Sequence, residues 1–155
     1  MNSPMNTTEM KRYKSTEWNF ALDIPRRWHA FPPVSSHNPN EVIRFASKEG
    51  GNHLVIITRW PRDPKKPLKD ACDQAQQKLA GKGYGNFSTI ETTIGTRAAL
   101  RLEFDLPQDG GTWSCRAYFV AEGTLHYGLA FGTNNKDGMF ELYDRMARSF
   151  EFSAE

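Results

Sequence analysis

Residues 112–133 read TWSCRAYFVAEGTLHYGLAFGT, and this stretch decides the fold. In both halves of it, large apolar side chains alternate with small or polar ones. Alternation with a period of two marks a strand that has one face in a core. Only Glu122 and Gly123 separate the two runs, which is the spacing of a tight turn. The stretch therefore predicts a β-hairpin.

The chain after this hairpin changes from a period of two to the helical period. A single apolar stripe at helical spacing predicts a C-terminal helix; its members are Met139, Leu142, Tyr143, Met146 and Phe150. Asn134 is of a residue type that caps helix N-termini, and Asp137 would lie in the first turn. We therefore expect the helix to begin close to Asn134.

Upstream of the hairpin, the same periodicities predict further strands and a second helix. Alternating residues predict strands over residues 20–24, 42–47, 53–60, 86–95 and 97–106, and an amphipathic stripe predicts a helix over residues 68–80. The sum is an α+β domain with a largely antiparallel sheet of six or seven strands and two helices. Residues 1–16 are polar and lack periodicity, so we expect a disordered segment there and a single domain over residues 17–155.

Composition excludes several classes of function. The net charge is +2 with 25% charged residues, which lacks the basic excess of a nucleic-acid-binding protein. The longest apolar run, residues 54–57, is too short to insert into a membrane, and the first residues do not resemble a signal peptide. A cytoplasmic location follows for the sequence as it stands, or a periplasmic or lumenal one if a leader has been removed. Cys72 and Cys115 are expected to be free thiols.

The residues that could carry chemistry form no convincing catalytic or metal-binding set. No two of the four histidines have the spacing of a helical metal pair, so neither a metal nor a cofactor is predicted. Alternation places Cys115 and His126 on opposite sides of the sheet, which argues against a nucleophile and its base. Glu103 and Asp105 share one strand face, where cross-strand charge pairs with arginines explain them. A small hydrolase-like enzyme that uses Glu103, Asp105 and His126 remains an alternative hypothesis.

Three local patterns and their order resemble the PsbP and Mog-like superfamily. They are the opening strand Phe20-Ala21-Leu22-Asp23-Ile24-Pro25 followed by Trp28, the strand Thr96-Arg97-Ala98-Ala99-Leu100-Arg101-Leu102, and the final helix that ends in Ser149-Phe150. The resemblance covers residues 18–152 and implies an α-β-α sandwich around an antiparallel sheet. Members of this superfamily act as an extrinsic photosystem subunit, a Ran-binding import factor, a bacterial lipoprotein and chaperones for type VI secretion effectors, and none of these roles is enzymatic.

These observations together predict a non-enzymatic binding or adaptor domain that engages a protein partner. The expected contact surface is the polar side of the last strands, with Arg101, Arg116, Tyr118 and His126. Gly128 and Ala130 on the same side would leave room for a partner. A narrower alternative is a cytoplasmic chaperone for a type VI secretion effector, and a homodimer is compatible with either hypothesis.

Overall fold

The computed structural model describes residues 8–152, which form ten strands and two helices. The strands and helices in chain order are β1 (Met10–Ser15), β2 (Phe20–Pro25), β3 (His29–Phe31), β4 (Glu41–Ser47), β5 (His53–Pro61), α1 (Leu68–Gly81), β6 (Gly85–Ile94), β7 (Arg97–Gln108), β8 (Gly111–Glu122), β9 (Leu125–Thr133), α2 (Met139–Ser149) and β10 (Glu151–Phe152). Neither helix is long and apolar enough to cross a membrane.

Seven of these strands form one antiparallel sheet in the order β3-β4-β5-β9-β8-β7-β6. The other three form a small antiparallel sheet in the order β1-β2-β10. The predicted α+β class with a largely antiparallel sheet is confirmed, and the hairpin over residues 112–133 corresponds to β8 and β9. The small sheet was not predicted.

Both faces of the seven-stranded sheet carry a hydrophobic core, and α1 lies mainly over β6, β7 and β8. Helix α1 packs on one face through Cys72, against Leu102 and Phe119 of the sheet. Helix α2 and the small sheet pack on the other face, where residues such as Tyr143 meet Leu129. We call these the α1 face and the α2 face. Because each face carries a hydrophobic core, neither face is solvated across its whole width in the way that the sequence suggested for the polar side.

The prediction of a disordered segment over residues 1–16 is wrong for Met10–Ser15, which form β1. This strand pairs with β2 along its whole length, and the ring of Tyr13 contacts that of Phe45 at 4.9 Å between centroids. Its other side chains are mostly exposed, as expected of an edge strand, and that polar character concealed the strand in the sequence. Residues 1–7 lie outside the described part of the chain.

The predicted N-cap of the last helix is also wrong. Helix α2 begins at Met139, and Gly138, with a φ of 73°, takes the N-cap position. Asn134 instead accepts a hydrogen bond from the Asn52 backbone N–H at 2.8 Å, so its side chain ties two loops together.

Candidate functional site

The register of the sheet decides which predicted contact residues lie together. In antiparallel strands, directly paired residues point to the same face. Arg101 pairs with Tyr118, and Tyr118 with Leu129, so Arg101, Arg116 and Tyr118 lie on the α2 face. His126 pairs with Ala121, which places it on the α1 face. The prediction that the four residues share one face is therefore wrong for His126.

Beneath α2, the polar residues form a charge cluster composed of Arg101, Glu103, Arg116, Tyr118 and Asp144. Arg116 donates from Nη1 to Asp144 Oδ1 at 2.8 Å and from Nη2 to Glu103 Oε2 at 2.5 Å. The Tyr118 hydroxyl donates to the same Asp144 oxygen. Burial, and then this hydrogen bond, raise the pKa of Tyr118 well above its usual value. The cluster ties α2 to strands β7 and β8.

Arg116 itself is enclosed by this arrangement. Only 8% of the residue is exposed, and its guanidinium lies 4.4 Å from the centre of the Phe140 ring, which belongs to α2. Both carboxylates that it contacts lie in the same cluster. We conclude that Arg116 positions its neighbours and does not reach a partner directly.

Arg101 makes fewer hydrogen bonds than Arg116, although the Nε of each is buried without a partner. Its Nε lies 3.2 Å from Glu103 Oε2 but is buried without a hydrogen bond, and its Nη1 is 3.9 Å from Asp144 Oδ1. Hydrogen bonds between N–H and O are ordinarily 2.7–3.2 Å long, so the second contact is too long to be one. The Nε group has no access to solvent, so the two Nη groups of Arg101 are the donors left for a further acceptor.

These donors border a cavity of about 330 Å³ between the end of β6 and the last turns of α2. Its lining is mainly polar and comprises Thr92, Thr93, Arg101, Tyr118, Asp144 and Arg148 among others. Arg148 is exposed and makes no ion pair with any acidic residue in the described part of the chain. Two arginines with unused donors thus converge on one cavity, and the sequence contained no signal for Arg148.

His126 lies in a different environment on the α1 face. It is 6% exposed, its ring centre is 5.3 Å from that of Trp60, and neither ring nitrogen has a hydrogen-bond partner. Burial, and then the positive charge of Arg62, lower its pKa. The room expected at Gly128 is absent, because a Cβ there would meet Thr58 and Trp60. His126 and Gly128 therefore offer no contact surface to a partner.

The three residues of the enzyme alternative do not converge. Glu103 belongs to the charge cluster, whereas Asp105 accepts a hydrogen bond from Asn86 Nδ2 at 2.9 Å. Both lie on the α2 face, and His126 lies on the α1 face. A general acid and base must reach the same substrate atoms, which this arrangement prevents.

The cysteines are buried free thiols, as predicted. Contrary to expectation, Cys115 and His126 share the α1 face, because Cys115 pairs with Gly132 and His126 with Ala121. The pairing separates them along the strands by six residues, about 20 Å at the usual rise of a strand. Burial, and then the charge of Asp105, raise the pKa of Cys115 to about 12. The thiol therefore has neither a base nor the ionisation that a nucleophile needs.

A second polar cluster, centred on Glu41, was missed by the sequence analysis. The Glu41 side chain is fully buried and accepts hydrogen bonds from Arg44 at 2.7 and 2.8 Å, and from the Val34 backbone N–H at 3.0 Å. His37 Nδ1 lies 2.6 Å from its other oxygen. Burial opposes ionisation, but these hydrogen bonds outweigh it and lower the pKa of Glu41 to about 2. The cluster fixes the loop before β4, where Val34 is 40% exposed.

No group of three or more metal-ligating side chains occurs among residues 8–152. Neither the known family models nor the curated proteins contain a match to this chain.

Solved structures do resemble it. Cyanobacterial PsbP (CyanoP) from Synechocystis sp. PCC 6803 matches with a TM-score of 0.70 and 17% identity, over 94% of this chain and 93% of that one. LpqN of Mycobacterium tuberculosis, which is described as involved in cell envelope biogenesis, matches with a TM-score of 0.63 and 12% identity, over 97% and 95%.

A protein of Bacteroides thetaiotaomicron matches with a TM-score of 0.65 and 17% identity, over 94% of this chain but 49% of that one. The chain therefore has the PsbP-like fold, which confirms the resemblance seen in the sequence. At these identities the likeness concerns the fold alone.

Proposed function

We propose that this chain is a non-enzymatic protein-binding domain built on the PsbP-like fold, and that its partner contacts the cavity beside Arg101 and Arg148. The fold supports a binding role only by analogy, because one fold carries many functions. Structures with this fold include a cyanobacterial PsbP and a protein involved in cell envelope biogenesis.

The observation that carries the proposal is the contrast between Arg116, which donates to two carboxylates, and the two arginines that line the cavity, Arg101 and Arg148. Arg116 donates from both Nη groups to Asp144 and Glu103, and only its buried Nε lacks a partner, whereas the Nη groups of Arg101 make no such hydrogen bond and Arg148 is exposed beside it. Arginine is frequent among the residues that contribute most to protein interfaces, because its planar group binds carboxylates through two hydrogen bonds. A cavity that presents two such groups fits an acidic partner residue.

This proposal revises the expected contact surface. Arg101 remains a contact residue and Tyr118 forms part of the cavity wall. Arg116 acts by holding Asp144 and Glu103 in place, and His126 has no part in the contact because it lies on the α1 face.

Affinity capture from the native lysate, quantified by mass spectrometry, tests the proposal. We expect Arg148→Glu to lose a protein that the wild type captures, because the substitution reverses the charge at the cavity. Arg27→Glu is the matched control, since the Arg27 side chain is 81% exposed and, among residues 8–152, forms an ion pair only with Glu49 at the surface. Equal capture by the wild type and Arg148→Glu would contradict the proposed site.

The narrower hypothesis of a type VI effector chaperone gains no specific support from the described residues, and it stays a prediction. The same holds for the homodimer and for the cytoplasmic location.

A further inference from the structure

The two edges of the seven-stranded sheet are protected very differently. At one edge, β3 is three residues long, and Pro32 and Pro33 follow it directly. At the other edge, β6 is ten residues long and contains neither proline nor lysine. Proteins ordinarily blunt an edge strand with short length, proline or lysine, because its free N–H and C=O groups can pair with another chain. The edge at β6 lacks these three devices.

The usable part of this edge is residues 88–94. A register shift between Gly85 and Ser88 disturbs the pairing with β7 at the start of β6, whereas the pairing is regular from Ser88 onward. Most of its side chains are exposed, and they include Ile90, at 40% exposure. The segment is rich in β-branched residues, which favour strand pairing, and Glu91 is its single charge.

The cavity with the two arginines lies at the end of this edge. Thr92 and Thr93 of β6 line it together with Arg101 and Arg148. Ile90 pairs with Arg101, so Ile90 and Thr92 project toward the α2 face, where the cavity opens. A strand added beside β6 would place alternate side chains next to Thr92 and Ile90 on this face. The chemistry that fits is a carboxylate at the first position and an apolar side chain two residues away.

We propose that β6 accepts an extended segment of the protein partner as an eighth strand, and that an Asp or Glu of this segment binds Arg148 and Arg101. This inference rests on the proposed function and specifies how the partner binds. Main-chain hydrogen bonds to residues 88–94 supply affinity, and the carboxylate sets the register. The residue between the two contacts lies opposite Glu91, so it is neutral or basic.

Two synthetic peptides, TTEKVTT and TTVKETT, test the inference, one for each direction of the added strand. Binding is followed by the backbone NMR signals of the whole protein. We expect one peptide to shift the amides of residues 88–94 in a saturable manner. Its Glu→Gln analogue should bind about tenfold weaker, the effect of about 1.4 kcal/mol from a charge-assisted contact. An analogue with proline in place of lysine should not bind, because proline removes a donor.

The protein variant Arg148→Gln completes the design. Arg148 is exposed, so its substitution leaves the core unchanged. In Arg148→Gln the difference between the Glu and Gln peptides should shrink to the part that Arg101 contributes, whereas Arg27→Gln should preserve the tenfold difference, as expected when the two charges interact directly.

Strand addition would be overturned if the peptides shifted only NMR signals outside residues 88–94. It would also be overturned if the Glu and Gln peptides bound equally to the wild type. If self-association of the protein already protected these amides before any peptide was added, a second copy of this chain would pair with β6, and the proposal of a partner segment would be overturned as well. If Arg148→Glu abolishes partner capture and neither peptide binds, the cavity is a contact site but β6 is not a docking edge. Loss of peptide binding is thus distinguishable from failure of the proposed function.

Discussion

Replacing Glu41 with Gln measures how strongly a buried carboxylate holds the loop before β4. Gln keeps the size of the side chain but removes the charge that Arg44 contacts at 2.7 Å. The pKa of Glu41 falls from 4.5 to about 2 on folding. At about 1.4 kcal/mol for each tenfold change in the acid constant, the charged form contributes at most about 3.4 kcal/mol. We expect a loss of about 2–3 kcal/mol, since Arg44 regains part of its hydration in the variant.

Urea denaturation at several pH values is the assay, supported by thermal unfolding. The loss at pH 7 corresponds to a decrease in Tm of roughly 4–12 °C for a chain of this size. Because the folded pKa of Glu41 is lowered, its contribution is complete above about pH 4.5 and is lost as the pH falls through about 2. The contribution of the charged form falls by about 2 kcal/mol between pH 7 and pH 3, so the difference between wild type and variant should shrink to about 0–1 kcal/mol by pH 3.

Glu49→Gln is the matched control for this prediction. Glu49 also pairs with an arginine, Arg27, but its side chain is 64% exposed, and such surface pairs contribute about 0–1 kcal/mol. A loss below about 1 kcal/mol for Glu41→Gln, or a difference independent of pH, would refute the reasoning.

His126→Leu should leave the stability at pH 7 unchanged or raised, because the buried ring lacks hydrogen bonds. Because the pKa of His126 is lowered on folding, the wild type should lose stability below about pH 6.5, and the variant should lose less. Urea titrations at pH 5 and pH 7 measure the difference. Gly132→Ala should cost about 1–3 kcal/mol in the same assay, since the added methyl group would overlap the Trp113 indole. Gly85→Ala, with open space around its Cβ, should cost less than that. Cys115 should resist a thiol reagent at pH 8 in the native protein and react after unfolding in guanidinium, because its pKa is about 12; rapid native labelling would contradict its burial.

Sequence periodicity located the strands and helices more reliably than it assigned side chains to the two faces of the sheet. The predicted helix over residues 68–80 corresponds to α1, Leu68–Gly81, and the strand over residues 97–106 to β7, Arg97–Gln108. Periodicity is a local property of the sequence, so it can be recognised without knowledge of the tertiary structure. Strand β1 was missed because its side chains are mostly polar and exposed, and β10 because two residues are too few to show a period; both strands pair with β2.

The faces of the hairpin could not be read from alternation alone. The apolar side of β9, with Tyr127 and Leu129, packs on the α2 face, whereas that of β8, with Cys115 and Phe119, packs on the α1 face. A sheet with both faces covered permits this inversion, and only the pairing register decides it. The predicted surface therefore combined Arg116 and His126, which lie on opposite faces. Arg148 was missed because a lone arginine in a helix turn resembles any solvated residue.

Hydrogen exchange of the chain with and without its captured partner tests the central claim most directly. We expect partner binding to slow the exchange of amides in residues 88–94 and to leave the loop that contains Val34 unchanged. We also expect Arg148→Glu to abolish this protection. Protection confined to the Val34 loop or to α1, with residues 88–94 exchanging as in the free protein, would contradict a partner site at the β6 edge and its cavity.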